Sequence, residues 1–154
     1  MTVRFQVETM IAAPVERVFD LSLSVEDHLA SMARSRERLL ARTSSGALGL
    51  GDEVAWAGRH FGVTWKMRSR ITELTRPERF VDQQVRGPFA WFRHEHRFEA
   101  TSEGTRMFDA VSFAAPLGPL GRIAEWALLG RHLRRLIEQR NIHIRGVAER
   151  AAGT

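Results

Sequence analysis

At 154 residues, with 44% hydrophobic and 27% charged side chains, the chain has the size and balance of one globular domain able to bury a core, and its lack of cysteine excludes thiolate catalysis, disulfides and thiolate metal sites. The net charge of +5 comes from 23 basic residues, of which only Lys66 is lysine, against 18 acidic ones. No binding motif accompanies that excess, so no nucleic-acid partner is expected.

Val3, Phe5, Val7, Thr9 and Ile11 alternate with Arg4, Gln6 and Glu8 as in a half-buried strand, which Ala12-Ala13-Pro14 stops. Charges at Arg4 and Glu8 also argue against a signal core. No apolar run approaches the roughly 18 residues of a membrane span, so membrane insertion is not expected and the cytoplasm is the default compartment. Proline suits the first position of a helix, and Val15, Val18 and Phe19 follow at helical spacing. A second short helix is expected from Val25 to about Met32, capped by Ser24, with Glu26 and Asp27 opposing its dipole.

From Arg36 the period changes to two. Glu37 to Thr43 reads as a strand, followed by a glycine-rich loop, Ser44 to Gly51, that lacks the spacing of a phosphate cradle and is expected to form a mobile lid over one end of a cavity. Asp52 to His60 directs Val54, Trp56 and His60 to one side. The next strand sets Val63, Trp65, Met67, Ser69 and Ile71 against Lys66, Arg68, Arg70 and Thr72. Arg76-Pro77-Glu78 turns the chain into a strand from Phe80 to Arg86, where Phe80, Asp82 and Gln84 compete with Val81, Gln83 and Val85 for the inner face. Gly87-Pro88-Phe89 is a bend, with Phe89 at a pocket mouth.

Arg93 to Glu99 then places His94, His96 and Phe98 on one face and four charges on the other. With a turn at Glu103-Gly104, Phe98 is expected opposite Asp109, His96 opposite Val111, His94 opposite Phe113 and Ala100 opposite Met107. Two imidazoles and a carboxylate thus share an otherwise apolar face, where buried polar groups need partners or a wet cavity. Pro116-Leu117-Gly118-Pro119 ends this series. Leu120, Ile123, Ala124, Ala127, Leu128, Leu133, Leu136, Ile137, Arg140, Ile144 and Val147 trace one stripe of a long helix, with Gly130 as a place for it to bend. Arg131, His132, Arg134 and Arg135 read as a solvated basic patch. Trp126 lies off the stripe, as surface, pocket mouth or homodimer contact. The expected architecture is α+β, with two short helices and a curved antiparallel sheet of about seven strands wrapped on a long C-terminal helix; residues 1–150 form a single domain and 151–154 a disordered tail.

This order of elements resembles the helix-grip fold of the START-like, or SRPBCC, superfamily, which includes Bet v 1 allergens and polyketide cyclase/dehydrase-like proteins. Ala13-Pro14-Val15-Glu16-Arg17-Val18-Phe19, Gly87-Pro88-Phe89 with Trp91, the His94 to Phe98 run, Gly104-Thr105 with Asp109, and Pro116 to Gly121 sharpen the resemblance toward its bacterial ligand-binding members. The resemblance implies an apolar tunnel between sheet and helix and a small hydrophobic ligand as partner, without fixing one reaction.

The residues directed toward such a tunnel are Trp56, His60, Trp65, Met67, Asp82, Gln84, Phe89, His94, His96, Phe98, Asp109, Val111 and Phe113. Three readings of His94 and His96 compete. They could hold a metal with His60 or Asp109, act as acid or base beside Asp109 or Asp82 in a cyclase or dehydratase, or donate hydrogen bonds that shape the pocket. His-x-His alone is a weak metal signal, so neither a metal nor a cofactor is expected. Ligand binding is the leading expectation, with cofactor-independent catalysis by His94, His96 and Asp109 as the alternative.

Overall fold

Alternation of apolar and charged residues produces β1 (Thr2–Ile11), and the chain then crosses through Pro14, which caps α1 (Val15–Leu23) from one residue ahead of it. Ser24 caps α2 (Val25–Ser31), its hydroxyl accepting the Asp27 N–H at 3.1 Å. A 3-10 turn at Ala33–Ser35 leads into β2 (Arg38–Arg42), β3 (Glu53–His60), β4 (Val63–Thr75), β5 (Arg79–Arg86), β6 (Trp91–Thr101) and β7 (Gly104–Ala114), and α3 (Ile123–Ala152) closes the chain. The computed structural model describes residues 2–114 and 123–152, giving backbone alone for 123–126 and 152. Pro116 to Gly121, the start of the stripe from Leu120 to Ala124, the Trp126 side chain and the end of the tail therefore lie outside the described residues. Ala151 and Ala152, expected in a disordered tail, continue α3.

The seven strands form one sheet in the order β1-β7-β6-β5-β4-β3-β2, every neighbouring pair antiparallel. The meander from β2 to β7 joins consecutive strands by short turns, save for the glycine-rich loop between β2 and β3, and β1 returns beside β7. Helix α3 packs against β1, α1 and α2. Phe19 of α1 meets Phe80 edge-on at 5.5 Å and Phe98 at 5.3 Å, filling the core at that end. A second cluster gathers Val7, Phe89, Val111, Phe113 and Ile137.

The β6–β7 register differs from the sequence expectation by two residues. The turn falls at Ser102-Glu103, so Thr101 pairs with Gly104, Phe98 with Met107, His96 with Asp109, and His94 with Val111. Gly104 is already inside β7, at φ 137°, where a Cβ would stand 2.2 Å from the Ile11 carbonyl oxygen. That close approach requires glycine in the strand and moves the turn back one position. Because side chains alternate with period two, a slip of two leaves every residue on its expected face.

On β5 the inner face belongs to Phe80 and Asp82. Val81 is nevertheless buried on the outer face, paired with Glu73 and Glu95 and covered by the salt-bridge lattice that Arg79 and Arg93 make with those two acids. The α3 stripe also shifts. Leu128 is 55% exposed, Leu129 and Leu133 face the second core cluster, and the buried side proceeds through Ile137, Arg140, Asn141, Ile144 and Ala148. Gly130 lies against Val3, where a Cβ would approach within 3.3 Å.

Candidate functional site

Between α3 and the concave side of β3 to β7 lies a cavity of about 190 Å³. Its wall is mostly apolar, with Trp56, Trp65, Met67, Ile71, Phe89 and Leu133 prominent. Of the residues expected there, Trp56, His60, Trp65, Met67, Asp82, Phe89, His94, His96 and Val111 line it. Four others sit elsewhere. Gln84 folds back to bond both the N–H and the carbonyl of Phe89, fixing the Gly87-Pro88-Phe89 bend. Phe98 and Phe113 are packed into the two core clusters. Asp109 is fully buried behind the histidines, and it organises the deep end of the site.

His94 Nε2 lies 2.8 Å from Asp109 Oδ1, and His96 Nδ1 lies 3.1 Å from the same oxygen. His96 Nε2 points the other way, 3.0 Å from Asp82 Oδ2, which is 4.0 Å from His94 Nδ1. From α3, Arg140 Nη1 donates to Asp109 Oδ1 at 3.3 Å and to Asn141 Oδ1 at 3.1 Å, while its Nη2 donates to the Ser22 carbonyl at 3.3 Å. Asn141 Nδ2 donates to Asp109 Oδ2 at 2.7 Å and to Thr9 Oγ1 at 3.1 Å. The imidazoles stack on each other with centroids 3.7 Å apart, and His96 stacks on Phe80 at 4.0 Å.

Electrostatics follow from this enclosure. Burial would push the Asp109 carboxyl up, but the hydrogen bond from His94, the adjoining His96 ring and the nearby Arg140 charge outweigh it and hold it well below the usual carboxylate range. Burial likewise opposes charge on Asp82, whose carboxylate is kept ionised chiefly by the hydrogen bond from His96. Burial dominates at His94 and, with the neighbouring His96, lowers it to about 4 despite both carboxylates. At neutral pH His94 is therefore an uncharged imidazole. An ionised Asp109 only accepts, so His94 bears its proton on Nε2 and leaves a lone pair on Nδ1.

Asp82, His94 and His96 each bring one donor atom within 4.8 Å of the others, the one such group among the described residues. A single ion needs those in-plane lone pairs to converge. His96 Nε2 and Asp82 Oδ2 already bond each other at 3.0 Å, so an ion held by this group would have to displace that hydrogen bond.

A second polar station lies on the same cavity. His60 Nδ1 and His132 Nε2 are 3.0 Å apart, joining β3 to α3, so His132 leaves the expected basic patch for the cavity wall. Burial lowers both histidines. His28 and Glu37, 2.5 Å apart, also line the cavity, with His28 against Trp56. The glycine-rich loop contributes Leu48 and is held by hydrogen bonds from Gly51 to Ile71 and from Gly49 to Asp52. Sequence reasoning missed Arg140 and Asn141 as site residues, although an arginine on an apolar stripe was a visible sign of a buried partner.

Residues 2–149 match the family described as polyketide cyclase/dehydrase and lipid transport. No curated protein sequence matches the chain. Among solved structures, an aromatase/cyclase from a Streptomyces species superposes with a TM-score of 0.76 at 16% identity, over 99% of this chain and 96% of that one. The di-domain aromatase/cyclase StfQ of the steffimycin biosynthetic pathway gives 0.79 at 15% identity, over 99% of this chain and 53% of that one. TTHA0849 from Thermus thermophilus gives 0.71 at 17% identity, over 96% of this chain and 99% of that one.

Proposed function

The chain belongs to the polyketide cyclase/dehydrase and lipid transport family, and from that premise we propose that it binds a small hydrophobic molecule carrying at least one polar group between the sheet and α3. The observation that carries this reading is an apolar cavity with its polar groups gathered at defined places, Asp82, His94 and His96 at the deep end and His60 with His132 elsewhere on the wall. Such a lining favours transfer of an apolar skeleton from water while orienting it through a few hydrogen bonds.

Catalysis of a cyclisation or dehydration is the second reading, favoured by the histidine and carboxylate pairs and by the aromatase/cyclases of the same fold. In it His94 and His96 touch the substrate and Asp109 orients them, since Asp109 is sealed from the cavity. The lowering of His94 to about 4 weakens it as a base at neutral pH and supports orientation over proton transfer.

Native mass spectrometry of the protein purified from its own host tests the binding reading. A co-purifying small molecule is expected, and its loss from the cavity-filling variant Leu133→Trp, which should remain folded. Host-purified protein that is entirely free of small molecules, together with no binding of apolar probes in solution, would sink the proposal.

A further inference from the structure

Resting on the ligand-binding reading, we infer that the deep end of the cavity selects a hydrogen-bond donor, taking the hydroxyl of a phenol or alcohol on an apolar skeleton and rejecting a carboxylate. Hydrogen-bond accounting leads there. The imidazole and guanidinium donors at this end are committed within the protein, His94 Nε2 to Asp109, His96 Nε2 to Asp82, and the terminal nitrogens of Arg140 to Asp109, Asn141, the Ser22 carbonyl and His96 Nδ1. Two acceptors remain uncommitted. His94 Nδ1 comes no closer than 4.0 Å to Asp82, and Asp82 uses only Oδ2 toward His96.

Both residues line the cavity, and the Asp82 side chain is 21% exposed. Neither acceptor is among the sealed side-chain polar atoms that lack a partner in the described residues, so neither is shut inside the protein. A ligand hydroxyl donates to either one. A ligand carboxylate placed here is forced beside the Asp82 charge in a water-poor space, which is costly. The lowering of His94 supports the same polarity, because a neutral imidazole with its proton turned to Asp109 accepts from the cavity.

Calorimetric titration with three probes of one skeleton, 2-naphthol, naphthalene and 2-naphthoate, at neutral pH tests the inference. Naphthol is expected to bind about tenfold or more tightly than naphthalene, as a hydrogen bond to a charged acceptor permits, and naphthoate more weakly than either. Naphthoate binding as tightly as naphthol, or naphthol no tighter than naphthalene, would overturn the donor selectivity while leaving the cavity reading in place. Failure of all three to bind would remove both.

Asp82→Asn adds a separate arm, since the amide keeps an acceptor for His96 and turns a donor toward the ligand. The naphthol-to-naphthoate preference should shrink by about tenfold in a variant whose melting curve shows it folded. An unchanged ratio in that folded variant would also overturn the inference.

Discussion

Asp109 shows how one sealed carboxylate can organise a site it does not touch. It accepts from His94, Arg140 and Asn141 and lies beside His96, so it fixes the ring orientations that present His94 Nδ1 to the cavity and His96 Nε2 to Asp82. Removing its charge leaves the Arg140 guanidinium buried without its counter-ion, which is the expensive half of a broken buried pair. We expect Asp109→Asn to lose about 3 to 5 kcal/mol in urea unfolding, whereas Asp82→Asn, at a partly open position, should lose about 1 kcal/mol. Equal, small losses for the two would show that the cluster is not held from Asp109. Arg140 and Asn141 also explain why polar residues persist on an otherwise apolar helix face, since they anchor α3 to β7, β1 and the end of α1.

At the scale of elements, the β6–β7 hairpin aims the site and Gly104 sets its register. The glycine combines φ 137° with a Cβ position 2.2 Å from the Ile11 carbonyl oxygen and 2.9 Å from Ala12 Cα, so a side chain there must push β7 away from the crossing after β1. Gly104→Ala should therefore cost more than about 2 kcal/mol. Gly46→Ala is the control, because nothing lies within 4 Å of the place its added methyl would take and its backbone is not left-handed. Urea midpoints of the two variants provide the comparison, and a Gly104→Ala midpoint equal to that of Gly46→Ala would refute the role given to this crossing. The outer face of the same hairpin behaves differently. Arg93, Glu95 and their neighbours form a surface lattice over Val81 that takes no part in the cavity.

For the molecule as a whole, burying several histidines uncharged makes stability depend on pH. His94 has its folded value lowered to about 4 from 6.5, so its contribution is complete above the unfolded value and is lost as pH falls from 6.5 toward 4, because the unfolded chain takes up the proton first. The loss is roughly 3 kcal/mol, with lowered His60 and His132 acting in the same direction. Asp109, held far below its ordinary value, keeps its contribution through that window and yields it only at more acidic pH. Urea midpoints should fall steadily from neutral pH to about pH 4.5, and a flat profile would show that His94 is not buried neutral. Composition, the change of period at Arg36 and the alternation of Arg93 to Glu99 determined by themselves the α+β class, the meander and the face of almost every strand residue, because side-chain direction along a strand depends only on local backbone geometry. Depth was decided by tertiary structure alone. Alternation puts Trp65, His94, Phe98 and Asp109 on the same side of the sheet, but the helices stand away from some and cover others, α1 sealing Phe98 and α3 sealing Asp109 while Trp65 and His94 are left on a cavity. Likewise only the approach of α3 brings Arg140 and Asn141 to Asp109 across 31 and 32 residues of chain, a pairing made by the packing of a helix on a sheet and therefore absent from any local pattern.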